Sequence, residues 1–525
     1  MRLAPARAYM RLEPARAYMR FEPARAYMRL EPARASGIRP GPALPPYECP
    51  PACPGCAAKY SATACDSRRR VSGRLAIVSV VLLVIVVDGA VAAADGLVVV
   101  GGSPRAIARA GAGTVGDDGG GALLVNPASL ARREGQRVQL GCAIVDDSVE
   151  LDANVSGATH AHDQAGSSIA PLAAVEGSIG DWVLGAGVMT EAVTSRAQRP
   201  PSDLPADQVG PAFAYRYTGI AGTIRRDTVS IGAARRLGES VALGLSIGTA
   251  RVSVKETRRL WAGFGGRDLI GDPHRDVELG FAGEDGFAPR AVLGVFVAPV
   301  DTPIELGASV TWEATADVSG NVGALGTQNG PAAITTSPSA RLSLAEPWTL
   351  RAGARYLGER FVVELDGDLW IFPRSAEAAS WDVRGVRVVD PTGVGVDLTK
   401  VPSRISEHTR GAVRAAVDVE LMGGFLWAIG GASFTTLGTP VARLSPTFAD
   451  LGGATLGLGL EANAGSFAVT LGWSRTWSIA RSQGSTLLSL DNPFAAGDAP
   501  VATGRYDATA DQVGILLDIE LDGAP

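Results

Sequence analysis

From Gln136 to Leu521 the chain repeats, about fourteen times, a segment of roughly ten residues in which apolar side chains alternate with small or polar ones. In the last copy Val513, Ile515, Leu517, Ile519 and Leu521 fall on one face of an extended strand, and Gly514, Asp518 and Glu520 on the other, because successive side chains leave opposite faces. One face suits lipid and the other water. The predicted strands run near 136–149, 169–179, 182–194, 226–236, 241–255, 289–298, 304–316, 338–356, 360–372, 409–421, 424–435, 453–463, 466–478 and 510–521.

A half-buried strand of a soluble sandwich alternates in the same way, so the joints decide. Short turns such as Gly180-Asp181, Met422-Gly423 and Ala464-Gly465 alternate with long polar joints near 150–168, 195–225, 256–288, 317–337, 373–408, 436–452 and 479–509. Short turns at one rim, long loops at the other and an even strand count predict an all-β chain, a transmembrane antiparallel β-barrel of about 14 strands. A Greek-key sandwich does not alternate so regularly. One strand changes phase: Val241, Leu243, Leu245 and Ile247 share a face, whereas Val252 and Val254 take the other. A β-bulge or an early exit from lipid accounts for that pattern. Trp182, Trp312, Trp348, Trp370, Trp427, Trp473 and Trp477 fall near strand ends, where indole rings suit the membrane interface.

Hydrophobic residues make up 46% of the chain, yet beyond the N-terminal region no apolar run approaches the roughly 20 residues of a spanning helix. Any crossing there is made by strands. A net charge of -6 without a basic cluster in the mature region excludes nucleic acid as the expected partner. Several predicted lumen positions are charged: Glu305, Glu364, Asp366, Asp418, Glu420, Asp518 and Glu520, with Arg351, Arg355 and Arg414 of opposite sign.

The N-terminus divides into three. Residues 1–67 hold a nine-residue repeat starting at Met1, Met10, Met19 and Met28, then a Pro- and Cys-rich stretch. This reads as translated upstream DNA or a disordered extension, and its position argues against a zinc knuckle at Cys49, Cys53, Cys56 and Cys65. Residues 68–94 read as a signal peptide, with Arg68, Arg69, Arg70 and Arg74 ahead of the apolar run Leu75 to Val87 and small residues at Ala90 to Ala94. Residues 95–133 form a separate segment before the barrel at 134–525. After cleavage Cys142 is the one cysteine left, on the apolar face of the first strand.

Catalytic residues, cofactors and metals are not expected. His160, His162, His274 and His408 all fall in predicted loops, and no Ser/His/Asp set can be assembled from sequence. Gly111-Ala-Gly113-Thr-Val-Gly116 matches a dinucleotide-loop pattern, but it follows no strand of a βαβ unit. In the same segment Ser103 is placed to cap a short helix, with Pro104 at its first position and Gly111 as its stop.

Ser103 to Ala131 reads SPRAIARAGAGTVGDDGGGALLVNPASLA, and it resembles the start of the outer-membrane long-chain fatty-acid and hydrocarbon transporter family, the FadL/TodX type. Members of that family carry an A-R-A-G-like helix, a G-D-D-like turn and an N-P-A motif, here Asn126, Pro127 and Ala128. The stretch Ile169 to Val193 is similar to the family's second and third strands. The resemblance implies a 14-stranded barrel plugged by an N-terminal hatch with small helices, in the outer membrane of a Gram-negative bacterium. It implies passive uptake of a hydrophobic small molecule, such as a long-chain fatty acid or hydrocarbon, which leaves sideways at a kinked third strand. Gly185 and Gly187 are the candidates for that kink, with close packing beside the hatch as their other role. The alternatives are a general porin and a structural or adhesive surface barrel. Outer-membrane lipid is the expected surrounding, and a monomer is compatible with all of this.

Overall fold

The computed structural model describes residues 103–525, apart from positions 118, 156–157, 198–213, 265–267, 270, 328–329, 484–487, 490–491, 495–497, 500–502 and 522–525. The N-terminal extension, the signal segment and the first residues of the 95–133 segment lie outside the described residues.

Strand alternation closes into a ring. The strands are β1 (Gln136–Val155), β2 (Ala158–Ile179), β3 (Trp182–Ala197), β4 (Ala221–Leu237), β5 (Val241–Trp261), β6 (Asp276–Val297), β7 (Ile304–Glu313) and β8 (Ala316–Gly326). They continue with β9 (Ala332–Leu344), β10 (Trp348–Leu357), β11 (Phe361–Ile371), β12 (Ser380–Val389), β13 (Gly395–Asp397), β14 (Lys400–Pro402) and β15 (Arg410–Met422). The last are β16 (Leu426–Thr435), β17 (Gly453–Ala464), β18 (Phe467–Ser478), β19 (Arg481–Gln483), β20 (Leu488–Ser489), β21 (Asp498–Ala499) and β22 (Gly504–Glu520). Each barrel strand pairs antiparallel with its neighbours, and β22 pairs back onto β1 from Arg137↔Glu520 to Ala153↔Gly504. The result is a closed barrel of 14 strands, in which no sheet edge is left open to lipid.

Outward residues form an apolar band. Leu140, Ile144, Leu243, Leu245, Ile247, Leu306, Leu458, Leu471, Val513 and Ile515 are all exposed, the surface that hydrocarbon stabilises and water does not. Trp182, Trp312 and Trp348 are exposed at strand ends. Trp370 differs from expectation: its ring lies under the guanidinium groups of Arg410 and Arg414, on the lumen side. Free Cys142 faces outward.

Several of the predicted long joints, 150–168, 256–288 and 317–337 among them, are largely strand. β1 and β2 stay paired to Val155↔Ala158, and β5, β6, β8, β9 and β12 rise together beyond the band. The physical reason lies in the outward face. Above lipid it meets water, so Arg251, Lys255, Glu284 and Arg341 take outward positions, and beyond them the strands lose the lipid-facing pattern and read as the joints 256–288 and 317–337. Their inward neighbours Val252, Val254, Val277, Leu279, Phe281, Leu342 and Trp381 build a second apolar core. β5 therefore keeps one phase throughout: Leu243, Leu245 and Ile247 continue into Arg251, while Val252 and Val254 face that core. The early exit from lipid is the correct reading, and a register shift opposite Ala250 and Val252 falls on β6.

Candidate functional site

The segment before β1 fills the lumen. Ser103 Oγ accepts from the Ala106 amide at 3.2 Å and starts α1 (Pro104–Ala108), and Ala110 and Gly111 leave it with positive φ. A second helix, α2 (Ala122–Val125), leads into a 3-10 turn at Pro127–Arg132. Leu123, Ala128 and Leu130 pack on Val183, Ala234, Ala242 and Phe296 of the wall, and Leu124 packs with Leu172, Met189 and Leu516.

Glycine in the wall gives this plug its room. A Cβ at Gly457 would lie 2.6 Å from the Ile107 and Ala108 carbonyl oxygens, and one at Gly307 would lie 2.9 Å from the Thr114 oxygen. At Gly244 and Gly294 it would run into Ala128 and Asn126. Backbone thus lies directly on backbone, which only glycine allows.

Charge pins the plug in place. Arg109, fully buried, sits 2.6 Å from Glu364 and 3.3 Å from Asp418; Arg105 reaches Asp418 at 3.4 Å and Glu461 at 3.3 Å. Burial acts to lower the Arg109 pKa, but Asp418 and Glu364 hold it above the ordinary guanidinium range. Glu364 Oε1 also accepts from the Val115 and Gly116 amides at 2.9 and 3.0 Å, and Asp366 Oδ2 from Gly113 and Thr114 at 2.7 and 2.9 Å. The loop that matches a dinucleotide pattern therefore has its amides turned to two wall carboxylates, an anion nest used internally. Arg132 and Arg355 share Glu305, each at 3.2 Å.

Asn126, Pro127 and Ala128 sit at the centre of this contact. Asn126 Oδ1 caps the 3-10 turn by accepting from the Ala128 amide at 3.2 Å. Its amide nitrogen donates to Thr114 O at 2.9 Å and to Val295 O of β6 at 3.2 Å. One side chain joins two parts of the plug to the wall. Gly185 and Gly187 pair regularly with Glu176 and Ala174 of β2, and Leu123 is within contact distance of a Cβ built at either.

The irregularity in β3 lies further on. Its register against β4 shifts between Thr190 and Ala192, and its pairing with β2 stops at Leu172↔Met189 and returns only at Ala165↔Ala197. Across this gap Arg225 of β4 donates to Ile169 O of β2 at 3.0 Å and to Thr190 Oγ1 at 3.0 Å, and is itself held by Asp227 at 2.8 Å.

The outer end of the lumen is covered as well. The connection between β16 and β17 folds inward, and Leu444 to Gly452 are buried. Asp450 pairs with Arg410, Arg196 donates to Ala449 O at 3.0 Å, and Ser445 donates to Thr218 O at 2.9 Å. The sequence predicts a long polar joint at 436–452, whereas the structure buries its second half. Its apolar Leu444, Phe448 and Leu451 were the available signal.

Between plug and cover lies a cavity of about 230 Å³. Leu124 and Val125 form part of its floor, Phe448 and Ile405 part of its roof, and Trp370 and Phe372 part of its wall. Glu191 and Ala192, beside the gap in β3, also line it. A belt of ion pairs runs through the wall among Ile224, Val252, Leu344 and Pro347. Arg226 faces Glu313 at 2.7 Å, Glu346 at 2.8 Å and Glu191 at 3.7 Å, while Arg290 faces Glu191 and, at 3.3 Å, Glu313. Arg351 and Arg414 both face Asp368, and Arg410 faces Glu407 at 3.8 Å.

No protein-family profile matches the chain, and no curated protein sequence matches it. Solved structures do. A Pseudomonas aeruginosa FadL homologue matches with a TM-score of 0.60 at 13% identity, over 81% of this chain and 100% of that one. The P. putida toluene transporter TodX matches at 0.58 and 14%, over 80% and 98%, and the Ralstonia pickettii toluene transporter TbuX at 0.56 and 14%, over 80% and 98%. The chain thus has the fold of the FadL/TodX-type barrels.

Proposed function

We propose that the protein is an outer-membrane channel of a Gram-negative bacterium for passive inward transport of hydrophobic small molecules. The observation that carries this reading is a lumen filled by its own N-terminal segment, with a partly apolar cavity held above the plug. A general porin needs an open aqueous lumen, and the plug argues against one. The structural neighbours include two toluene transporters and a FadL homologue, which fits a transport role and not an enzymatic one.

In this account the ligand enters from the outer end when the Leu444 to Gly452 cover shifts, and rests in the cavity. It leaves by the gap between β2 and β3, whose edge Glu191 and Ala192 share with the cavity. Asn126, Pro127 and Ala128 anchor the hatch to the wall. Lateral exit lets an alkyl or aromatic ligand pass from the partly apolar cavity into lipid without crossing water, which transfer free energies strongly favour. No energy source beyond the ligand gradient is needed.

The test is uptake by cells that express the full chain, compared with cells that do not. Faster entry of labelled toluene or hexadecanoate, with no change for a sugar, is expected. Equal acceleration of the sugar contradicts the reading and favours a porin.

A further inference from the structure

We infer that the cavity selects an uncharged amphiphile, a hydrocarbon ending in a hydroxyl, over an ionised fatty acid; this rests on the transport reading above. The cavity wall contains five arginines and five carboxylates. Every one of those guanidinium groups faces at least one carboxylate, and Arg410 faces Asp450 as well. No cation is in surplus. A ligand carboxylate would bring a further negative charge into a buried, already balanced belt, and the hydration it loses would go unrepaid.

A hydroxyl meets the same wall differently, because it donates one hydrogen bond and accepts others. The lining guanidinium groups donate and the lining carboxylates accept, so the belt offers both a donor and an acceptor to one small polar group. Next to it, Leu124, Trp370, Phe372 and Phe448 supply the apolar surface for a chain or ring. A carboxylate accepts only, and meets the lining carboxylates as a like charge.

Glu346 sets the balance. It lies in the joint between β9 and β10, outside the strands, facing Arg226 of β4, Glu313 of β7, Glu191 of β3 and Glu407 of the connection before β15. Burial pushes its carboxyl up to about 7, with the neighbouring glutamates adding to the shift and Arg226 opposing it. Protonation there removes one negative charge from the belt.

The experiment is equilibrium binding of labelled decanol, decanoate and decane to the full chain in detergent at pH 8, where Glu346 is ionised. Decanol should bind about tenfold or more tightly than decanoate. Glu346→Gln, or the unaltered protein at pH 6, should strengthen decanoate binding and narrow that ratio, while decanol changes little. The inference is overturned if decanoate binds as well as decanol at pH 8, or if neither the substitution nor the lower pH moves the ratio. Failure of all three ligands to bind would instead sink the transport reading itself.

Discussion

Arg109 Nη2 and Glu364 Oε2 lie 2.6 Å apart with both side chains buried, so the N-terminal plug is tied to the barrel wall by a charge pair that water does not reach. The same Glu364 holds the Val115 and Gly116 amides through its other oxygen. One wall residue thus secures both the end of α1 and the loop that follows it.

Glu364→Ala should loosen the plug without unmaking the barrel. Removing one member of a buried pair costs about 3–5 kcal/mol, because the other charge is left uncompensated. In planar bilayers this variant should show bursts of ion current, and protease should cut within Ser103 to Ala131. Arg109→Leu combined with Glu364→Leu should be milder than Glu364→Ala alone, as neither member of the pair is left uncompensated and Asp418 keeps Arg105 at 3.4 Å. Equal damage from the two would mean that the pair is not what holds the plug.

The wall glycines make a separate prediction. Gly457→Leu places its Cβ where the Ile107 and Ala108 carbonyl oxygens now lie, 2.6 Å away, whereas Gly280 has nothing within 4 Å of an added Cβ. Gly457→Leu should raise conductance by displacing α1, while Gly280→Ala should behave as the unaltered protein. Both proteins should still migrate as folded barrels before heating.

Arg225 acts as a strut across the gap between β2 and β3, joining Ile169, Thr190 and Asp227. Arg225→Ala removes the side chain that spans the unpaired stretch. Release of a bound hydrophobic ligand into lipid should become faster, by about tenfold if one charge-assisted hydrogen bond of roughly 1.5 kcal/mol gates the exit. Slower or unchanged release in a vesicle transfer assay would exclude this stretch as the exit.

Much of the architecture was legible from one physical rule. Outward Leu, Ile and Val against inward small residues define a lipid-facing strand, and turn glycines such as Gly180 and Gly465 mark where it reverses. The rule stops at the membrane surface. With Arg251 and Lys255 in place of Leu243 and Leu245 on the outward face the lipid pattern ends, so the continuation of β5 past 255 and the first half of β6 read as a loop, and the second core under Trp381 was missed.

For the site, the N-terminal cap at Ser103 and the Asn126-Pro127-Ala128 turn were readable locally. The charged lumen positions Glu305, Glu364, Asp366 and Asp418 were visible too, but their partners in the plug lie up to 313 residues away in sequence. Pairing across such a separation is set by barrel closure. The cover at Leu444 to Gly452 was hidden for the same reason, because its apolar residues carry no strand period and its contacts with Arg196 and Thr218 form only when the ring is complete.

The most direct test of the central claim is ion conductance of the full chain in a planar bilayer, measured beside a variant lacking Ser103 to Ala131. The account predicts little steady current through the full chain and a large, stable conductance once the plug is removed. A large steady current in the full chain, or no change on deletion, would contradict it.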